Sequence, residues 1–214
     1  MRRTLAKASF YTAVNLLAFA LLGTAILAFT YNQTHERIEQ SVEAEKLKLI
    51  SQIVPQALFD NDVIADTLKI TPDPLLGTED ATTAYRARLK GKPSVLVMEA
   101  VAPDGYSGKV ALLIAIRDNG ELAGVRVVSD RETPGLGDYI EIAKSKWILQ
   151  FNGTSLAKYN GENWQVKKDG GQFDYMAGAT ISPRAVVKAV HKALQYFAQH
   201  QDALFAGTSL GVTP

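Results

Sequence analysis

Apolar residues follow three successive patterns along this chain. From Lys7 to Glu36 no Asp, Glu, Lys or Arg interrupts the sequence, and only mild polar residues such as Ser9, Thr12, Asn15 and Thr24 occur before His35. The stretch from Phe10 to Phe29, at about 1.5 Å of helical rise per residue, covers roughly 30 Å, the thickness of a bilayer's hydrocarbon core. Tyr11 and Tyr31 then fall near the two interfaces, where amphipathic rings are favoured. This pattern predicts a transmembrane helix over residues 9–31. Beyond it, Ile38, Val42, Leu47, Ile50 and Val54 recur at mostly helical spacings among Glu and Lys, which predicts a helix from Thr34 to Phe59 that continues the transmembrane helix outward or follows it after a short break. Pro55 weakens its end, and Thr71 to Gly77, with Pro72 and Pro74, reads as a loop.

From Ala84 the period changes to that of strands. Ala84–Leu89, Ser94–Ala102, Lys109–Ile116 and Leu122–Ser129 are short runs of Val, Ile, Leu and Tyr, separated by Gly91-Lys92-Pro93, Asp104-Gly105 and Asp118-Asn119-Gly120. Such spacing predicts an antiparallel meander, with Asn119-Gly120 as its strongest hairpin signal because both residues tolerate positive φ. After the turn-rich 131–138 segment, Ile140, Ala143, Trp147 and Phe151 share roughly one face of a helix predicted over Tyr139–Leu149. A further strand is expected at Trp164–Lys168, before the Asp169-Gly170-Gly171 turn. The last helix has Ser182 as N-cap, Pro183 as its first residue, and Val186, Val190, Leu194 and Phe197 as its core-facing stripe. The fold class expected is α+β: an N-terminal transmembrane helix, then an extracytoplasmic domain of antiparallel sheet and packed helices. The corresponding segments are 1–8 (cytoplasmic), 9–31 (transmembrane), 32–80 (membrane-proximal helix and loop), 81–205 (main domain) and 206–214 (tail).

Composition narrows the function. Of 214 residues, 47% are hydrophobic and 21% charged, which excludes both a disordered tail and a polytopic membrane protein. Lys and Arg (23) against Asp and Glu (22) leave a formal charge of +1 and no basic run, so nucleic acid is not expected as a partner. Zero cysteines exclude disulfides, thiolate metal sites and thiol nucleophiles. His35, His191 and His200 show no ligand spacing, and no metal site is expected. Arg2, Arg3 and Lys7 precede the apolar segment with no comparable cluster just after it, so the positive-inside rule puts the N-terminus in the cytoplasm and exports the rest. A cleaved signal peptide shares the basic start and apolar stretch. The length of that stretch, and small-x-small triplets such as Ala18-Phe19-Ala20 inside it rather than after it, favour an uncleaved anchor.

Two segments carry candidate chemistry: Glu132-Thr133-Pro134-Gly135-Leu136-Gly137 and Asp174-Tyr175-Met176-Ala177-Gly178-Ala179-Thr180-Ile181-Ser182-Pro183. In the second, small residues at 177–179 let a bulky group approach the backbone, and the Thr180 hydroxyl precedes a helix start whose amides and partial positive charge suit a phosphate. Each segment alone reads equally as a plain turn, one of them leading into a capped helix. Their occurrence together, in this order, shifts the balance.

The pair resembles the FMN-binding domain family, in which flavin mononucleotide is joined to a threonine by a phosphoester. That family's pattern is Asp, two variable residues, a small residue, Gly-Ala-Thr or Gly-Ala-Ser, one residue, then Ser or Thr; Asp174, Ala177, Gly178, Ala179, Thr180 and Ser182 fill it. Ala177 and Pro183 stand where Ser is frequent, departures that bear on modification efficiency and leave the acceptor hydroxyl in place. Over nearly the whole chain the resemblance is nearest to the G subunits of Rnf-type electron-transport complexes, with the C subunits of sodium-translocating NADH:quinone oxidoreductases as a related group. It implies covalent FMN on Thr180, installed by a flavin transferase from FAD, with Asp174 in the recognition signal. It also implies a single-pass protein of the inner membrane with a periplasmic domain, partnered by the other proteins of the complex and by lipid. Its role would be a one-electron relay without independent catalysis, so no catalytic residue is assigned.

In physical terms, Gly178, Ala179 and Ser182 would surround the attachment point, Leu136 would pack on the ring, Glu132 and Thr133 would bond its polar edge, and Gly135 and Gly137 would keep the loop close. Tyr106 and Trp147 are candidate walls, although core aromatics have the same appearance. No Gly-x-Gly-x-x-Gly fingerprint follows a strand, so nicotinamide chemistry would belong to another member of the complex. No Ser-His-Asp arrangement is identifiable. Two other functions stand beside the relay: an anchored binding or sensor domain without covalent flavin, and a flavin-dependent reductase acting on a soluble substrate.

Overall fold

The runs of Val, Ile and Leu between residues 82 and 129 form the centre of an antiparallel sheet. In the computed structural model, which describes residues 2–206 and the side chains of all of these except 2–6, 39, 40, 42, 43 and 45–47, five strands lie in sequence order. They are β1 (Thr67–Ile70), β2 (Thr82–Leu89), β3 (Lys92–Ala102), β4 (Val110–Arg117) and β5 (Leu122–Ser129). Of the tail expected at 206–214, Ala206 is the last residue of the C-terminal helix, and residues 207–214, like the side chains of Arg2, Arg3, Val42 and Leu47, lie outside the described residues.

Two helices flank these strands in sequence, α1 (Arg2–Ile53) and α2 (Ile181–Ala206). The chain divides into two compact units, Met1–Glu45 and Lys46–Pro214. Within the first, Lys7–Ile38 is a helical stretch of 32 residues, long and apolar enough to cross a membrane. Its large side chains, Phe10, Leu17, Phe19, Leu27 and Phe29 among them, are exposed.

In the second unit the pleat sorts side chains to two cores. One face sets Val95, Val97, Leu113, Ala115, Tyr85 and Ala87 against Leu49, Ile50 and Ile53 from the end of α1 and Val54 just after it. The other sets Leu96, Met98, Leu112, Ile114 and Ile116 against Val186, Val190, Leu194 and Phe197 of α2. With both faces covered, β3 and β4 read as continuous apolar runs instead of alternating ones. Gly124 allows the close approach of α1, because a Cβ there would lie 3.1 Å from the Ile53 Cβ.

Several elements differ from the sequence reading. The turn with two successive positive φ angles is Lys90-Gly91 (54° and 73°), which matches the twist of the β2–β3 hairpin. At Asn119-Gly120 only Gly120 takes positive φ, while the Asn119 side chain accepts a hydrogen bond from the Glu121 amide. Strand β1, too short to stand out, pairs with β2 and lies before the expected domain start at residue 81.

Tyr139–Leu149 is not one α-helix. Short 3₁₀ turns occupy Gly137–Ile140 and Trp147–Phe151, and the intervening Ser145 hydroxyl donates to the Tyr139 carbonyl and accepts from the Trp147 amide. Side-chain bonds to the backbone compete with helix in this way. The strand expected at Trp164–Lys168 reduces to a single bridge, Val166 with Phe173, followed by a 3₁₀ turn. This segment is held by stacked and edge-on rings of Trp147, Phe151, Trp164 and Phe173 rather than by a ladder. Helix α2 begins two residues earlier than expected, with the Thr180 carbonyl accepting from the Arg184 amide, so Thr180 takes the N-cap position and Ser182 lies in the first turn.

Candidate functional site

The two motif segments meet. They line a half-open cavity of about 320 Å³ bounded by Tyr106, Glu132, Thr133, Leu136, Gly137 and Gly178–Ser182. Its size falls within the range of small-molecule sites. Tyr106, Leu136 and Ile181 present exposed apolar surface at this cavity, and among the described residues no Lys or Arg lines it.

Thr180 is only 8% exposed yet lines the cavity, and its hydroxyl makes no hydrogen bond among the described residues. The amides of Ile181 and Ser182, in the first turn of α2, likewise find no acceptor among the described residues, and Pro183 has no amide to offer. Free amides at the positive end of a 26-residue helix make an anion position beside the Thr180 oxygen. In the absence of a cationic side chain, that position suits the single charge of a phosphodiester.

The loop before Thr180 is anchored from behind. Gly178 takes φ 87°, and the Ala179 amide donates to the Met176 carbonyl to close the turn. The Tyr139 hydroxyl accepts from the Met176 amide (3.0 Å) and donates to the Ala179 carbonyl (3.2 Å), clasping both sides of that turn. Burial pushes the Tyr139 phenol above its ordinary pKa, which keeps the donating proton on the ring. Trp147 Nε1–H donates to the Asp174 carbonyl at 2.6 Å, and the Asp174 amide donates to Gln150 Oε1 at 2.7 Å. Trp147 therefore supports the loop and does not line the cavity.

The 132–137 loop is shaped by carboxylates. Gly135, at φ 76°, donates its amide to Asp138 Oδ1, and the Thr133 carbonyl accepts from the amides of Leu136 and Gly137. Glu132 borders the cavity, but its oxygens accept from the Ser182 hydroxyl (2.7 Å) and the Ser107 amide (3.3 Å). Leu136 is 51% exposed and available to a ring, whereas Gly135 lies outside the lining. The Asp174 side chain also lies outside it, solvent-facing and paired with Lys167. Among the described residues no cluster of metal-ligating side chains occurs.

Tyr139, Asp138, Ser145 and Gln150 were not singled out by the sequence reading. Tyr139 and Ser145 fall in the helix expected over Tyr139–Leu149, Asp138 in the turn-rich segment before it and Gln150 just after it, and none carries a sequence signal of its own; their roles depend on the broken 3₁₀ geometry. The residues present fit a flavin nucleotide: a hydroxyl at the anion position, apolar surface at Leu136, Tyr106 and Ile181, and glycines where backbone must approach.

Comparison with known proteins agrees with this geometry. Residues 105–195 match the model of the FMN-binding domain, and residues 1–53 match that of the RnfG N-terminal region. The G subunit of the ion-translocating oxidoreductase complex of Shewanella oneidensis is 45% identical over 191 residues, covering 89% of this chain and 90% of the relative. The proteins of the same name from Vibrio cholerae (44% over 189 residues, 88% and 90% covered) and Pseudomonas aeruginosa (44% over 188 residues, 88% of each) are similar to the same extent. An apolar N-terminal helix, a cavity built from both motif loops and relatives matched along nearly their full length lead to one conclusion: the chain belongs to the family of G subunits of Rnf-type ion-translocating oxidoreductase complexes and contains that family's FMN-binding domain.

Proposed function

We propose that this protein is a single-pass inner-membrane component of an Rnf-type complex, passing electrons between its partners there through FMN esterified to Thr180, with its main domain in the periplasm. The observation that carries the reading is the unpartnered Thr180 hydroxyl, at the N-cap of α2 and open to the cavity. When bound, the flavin supplies one- and two-electron redox chemistry that no side chain of a cysteine-free chain offers.

Attachment is redox-neutral. The Thr180 oxygen forms a bond to the FMN phosphorus of FAD, the pyrophosphate bond to AMP breaks, AMP leaves with the bridging oxygen, and the hydroxyl proton passes to solvent or to the transferase. The amides of Ile181 and Ser182 stabilise the phosphoester charge. Leu136, Tyr106 and Ile181 supply apolar surface, Thr133 a polar edge, and the Gly178 turn lets the bulky group approach. Asp174, exposed beside the turn, is accessible to the transferase as part of its recognition signal.

Intact mass and in-gel flavin fluorescence of the denatured protein, coexpressed with a flavin transferase, test the assignment. The wild type is expected to gain the mass of FMN less one water and to fluoresce, and Thr180→Ala to do neither. A colourless, unmodified wild type, under conditions where a control substrate is flavinylated, would replace this reading with that of a binding or sensor domain.

A further inference from the structure

Glu132 is 5% exposed and forms no ion pair with Lys or Arg among the described residues. A buried carboxylate without a cation is costly unless its oxygens are hydrogen-bonded. Here Oε2 accepts from the Ser182 hydroxyl at 2.7 Å and Oε1 from the Ser107 amide at 3.3 Å, close to the positive end of α2. One side chain thus joins three segments: the β3–β4 connection, its own loop, and the first turn of the helix that Thr180 caps.

Two glycines leave room for this node. A Cβ on Gly137 would fall 2.6 Å from Glu132 Oε2, and one on Gly105 would meet the Gly108 carbonyl oxygen first, at 2.3 Å, and Glu132 Oε1 at 2.8 Å. Neither glycine has positive φ, so at both positions the demand is for space and not for an unusual backbone. Ser182, 1% exposed, has its hydroxyl committed to Glu132. Freed from that bond it would turn to nearby backbone groups, as Ser does at helix starts, and compete with the arrangement of the 178–181 segment.

We propose that Glu132 is a positioning residue for covalent flavin attachment: through Ser182 it fixes the first turn of α2 and so the Thr180 oxygen two residues earlier. The inference rests on Thr180 being the acceptor and assigns the loop carboxylate to acceptor geometry instead of to the flavin's polar edge.

The test uses the full chain, purified unmodified in detergent, with a flavin transferase and FAD, and follows added FMN mass over time. Loss of a charge-assisted hydrogen bond corresponds to a slowing of about tenfold or more, expected for Glu132→Ala and for Ser182→Ala alike. The double variant is expected to be no slower than either single one, because both remove the same bond. Glu132→Gln, which keeps an oxygen for Ser182, should recover most of the rate. The loss should fall on the maximal rate and not on the KM for FAD. Amide exchange should rise at residues 176–184 while β3 and β4 stay protected, a pattern that general destabilisation does not produce.

Wild-type rates in Glu132→Ala, or slowing in the two single variants that multiplies in the double, would overturn the proposal. Should Glu132→Ala fail to fold, Glu132→Gln against Ser182→Ala carries the same comparison, and equal rates in those two would overturn it. A wild type that is never modified would instead overturn the Thr180 assignment on which the proposal depends.

Discussion

Tyr139 shows how one side chain can set a loop. Its hydroxyl is both acceptor for the Met176 amide and donor to the Ala179 carbonyl, so the turn leading to Thr180 is held at both ends by a single oxygen. Tyr139→Phe keeps the ring and its edge-on contact with Trp147 but leaves those two backbone groups without their partner. The expected cost is about 1–2 kcal/mol in urea unfolding. There is also a pH signature. Burial raises the phenol's pKa in the folded state, so the unfolded chain ionises first as pH climbs through about 10. The stability contributed by the neutral buried phenol is present below that pH and declines above it. Wild-type unfolding midpoints should therefore fall more steeply between about pH 9 and 11 than those of Tyr139→Phe; parallel curves would refute the point.

At the scale of elements, Asp66 ties β1 to β2 and to the end of α2. Its two oxygens accept from Arg86 Nε (2.6 Å) and Arg88 Nε (2.7 Å), and Arg88 also donates to the Phe205 carbonyl (2.9 Å) in the last turn of α2, where a cation is favoured. Burial alone would raise the Asp66 pKa, but the hydrogen bonds and charges of Arg88 and Arg86 outweigh it and hold the carboxyl below its ordinary value. The stability this provides is present above the unfolded pKa, about 3.9, and is lost as pH falls through the lower folded value. Asp66→Asn should cost about 2 kcal/mol at neutral pH. The gap to wild type should narrow as pH falls below the unfolded value of about 3.9 and on through the lower folded one, because the wild-type carboxyl then takes up its proton too. A gap that stays constant with pH would show that the carboxylate charge is not the source.

For the whole molecule, the proposed orientation follows from Arg2, Arg3 and Lys7 preceding the apolar helix. A chain with zero cysteines gives a clean assay, since any thiol introduced is unique. In cells with a permeabilised outer membrane, a membrane-impermeant maleimide should label Asn119→Cys, at an exposed turn of the main domain, and leave Thr4→Cys unlabelled until the inner membrane is lysed. The reverse pattern would put the cofactor domain in the cytoplasm and sink the periplasmic relay.

Local order was legible where local physics sufficed. The apolar helix, expected at 9–31 within the observed span of 7–38, strands β2 to β5, the amphipathic stripe of α2 and the pairing of the two motif loops all follow from side-chain period, turn residues or the motif itself. The sequence alone therefore determined an anchored α+β domain with Thr180 as its candidate acceptor. It could not determine the 130–180 segment, where short 3₁₀ turns are fixed by long-range contacts: Tyr139 to Ala179, Trp147 to Asp174, Phe151 to Phe173. Nor could it tell that Glu132 spends its oxygens on Ser182 and Ser107, or that Trp147 stands behind the loop and Tyr106 in front of it. Periodicity reports which face of an element is apolar. Which partner a carboxylate or an indole finally meets is decided only when residues distant in sequence are packed together and every buried polar group must find a bond.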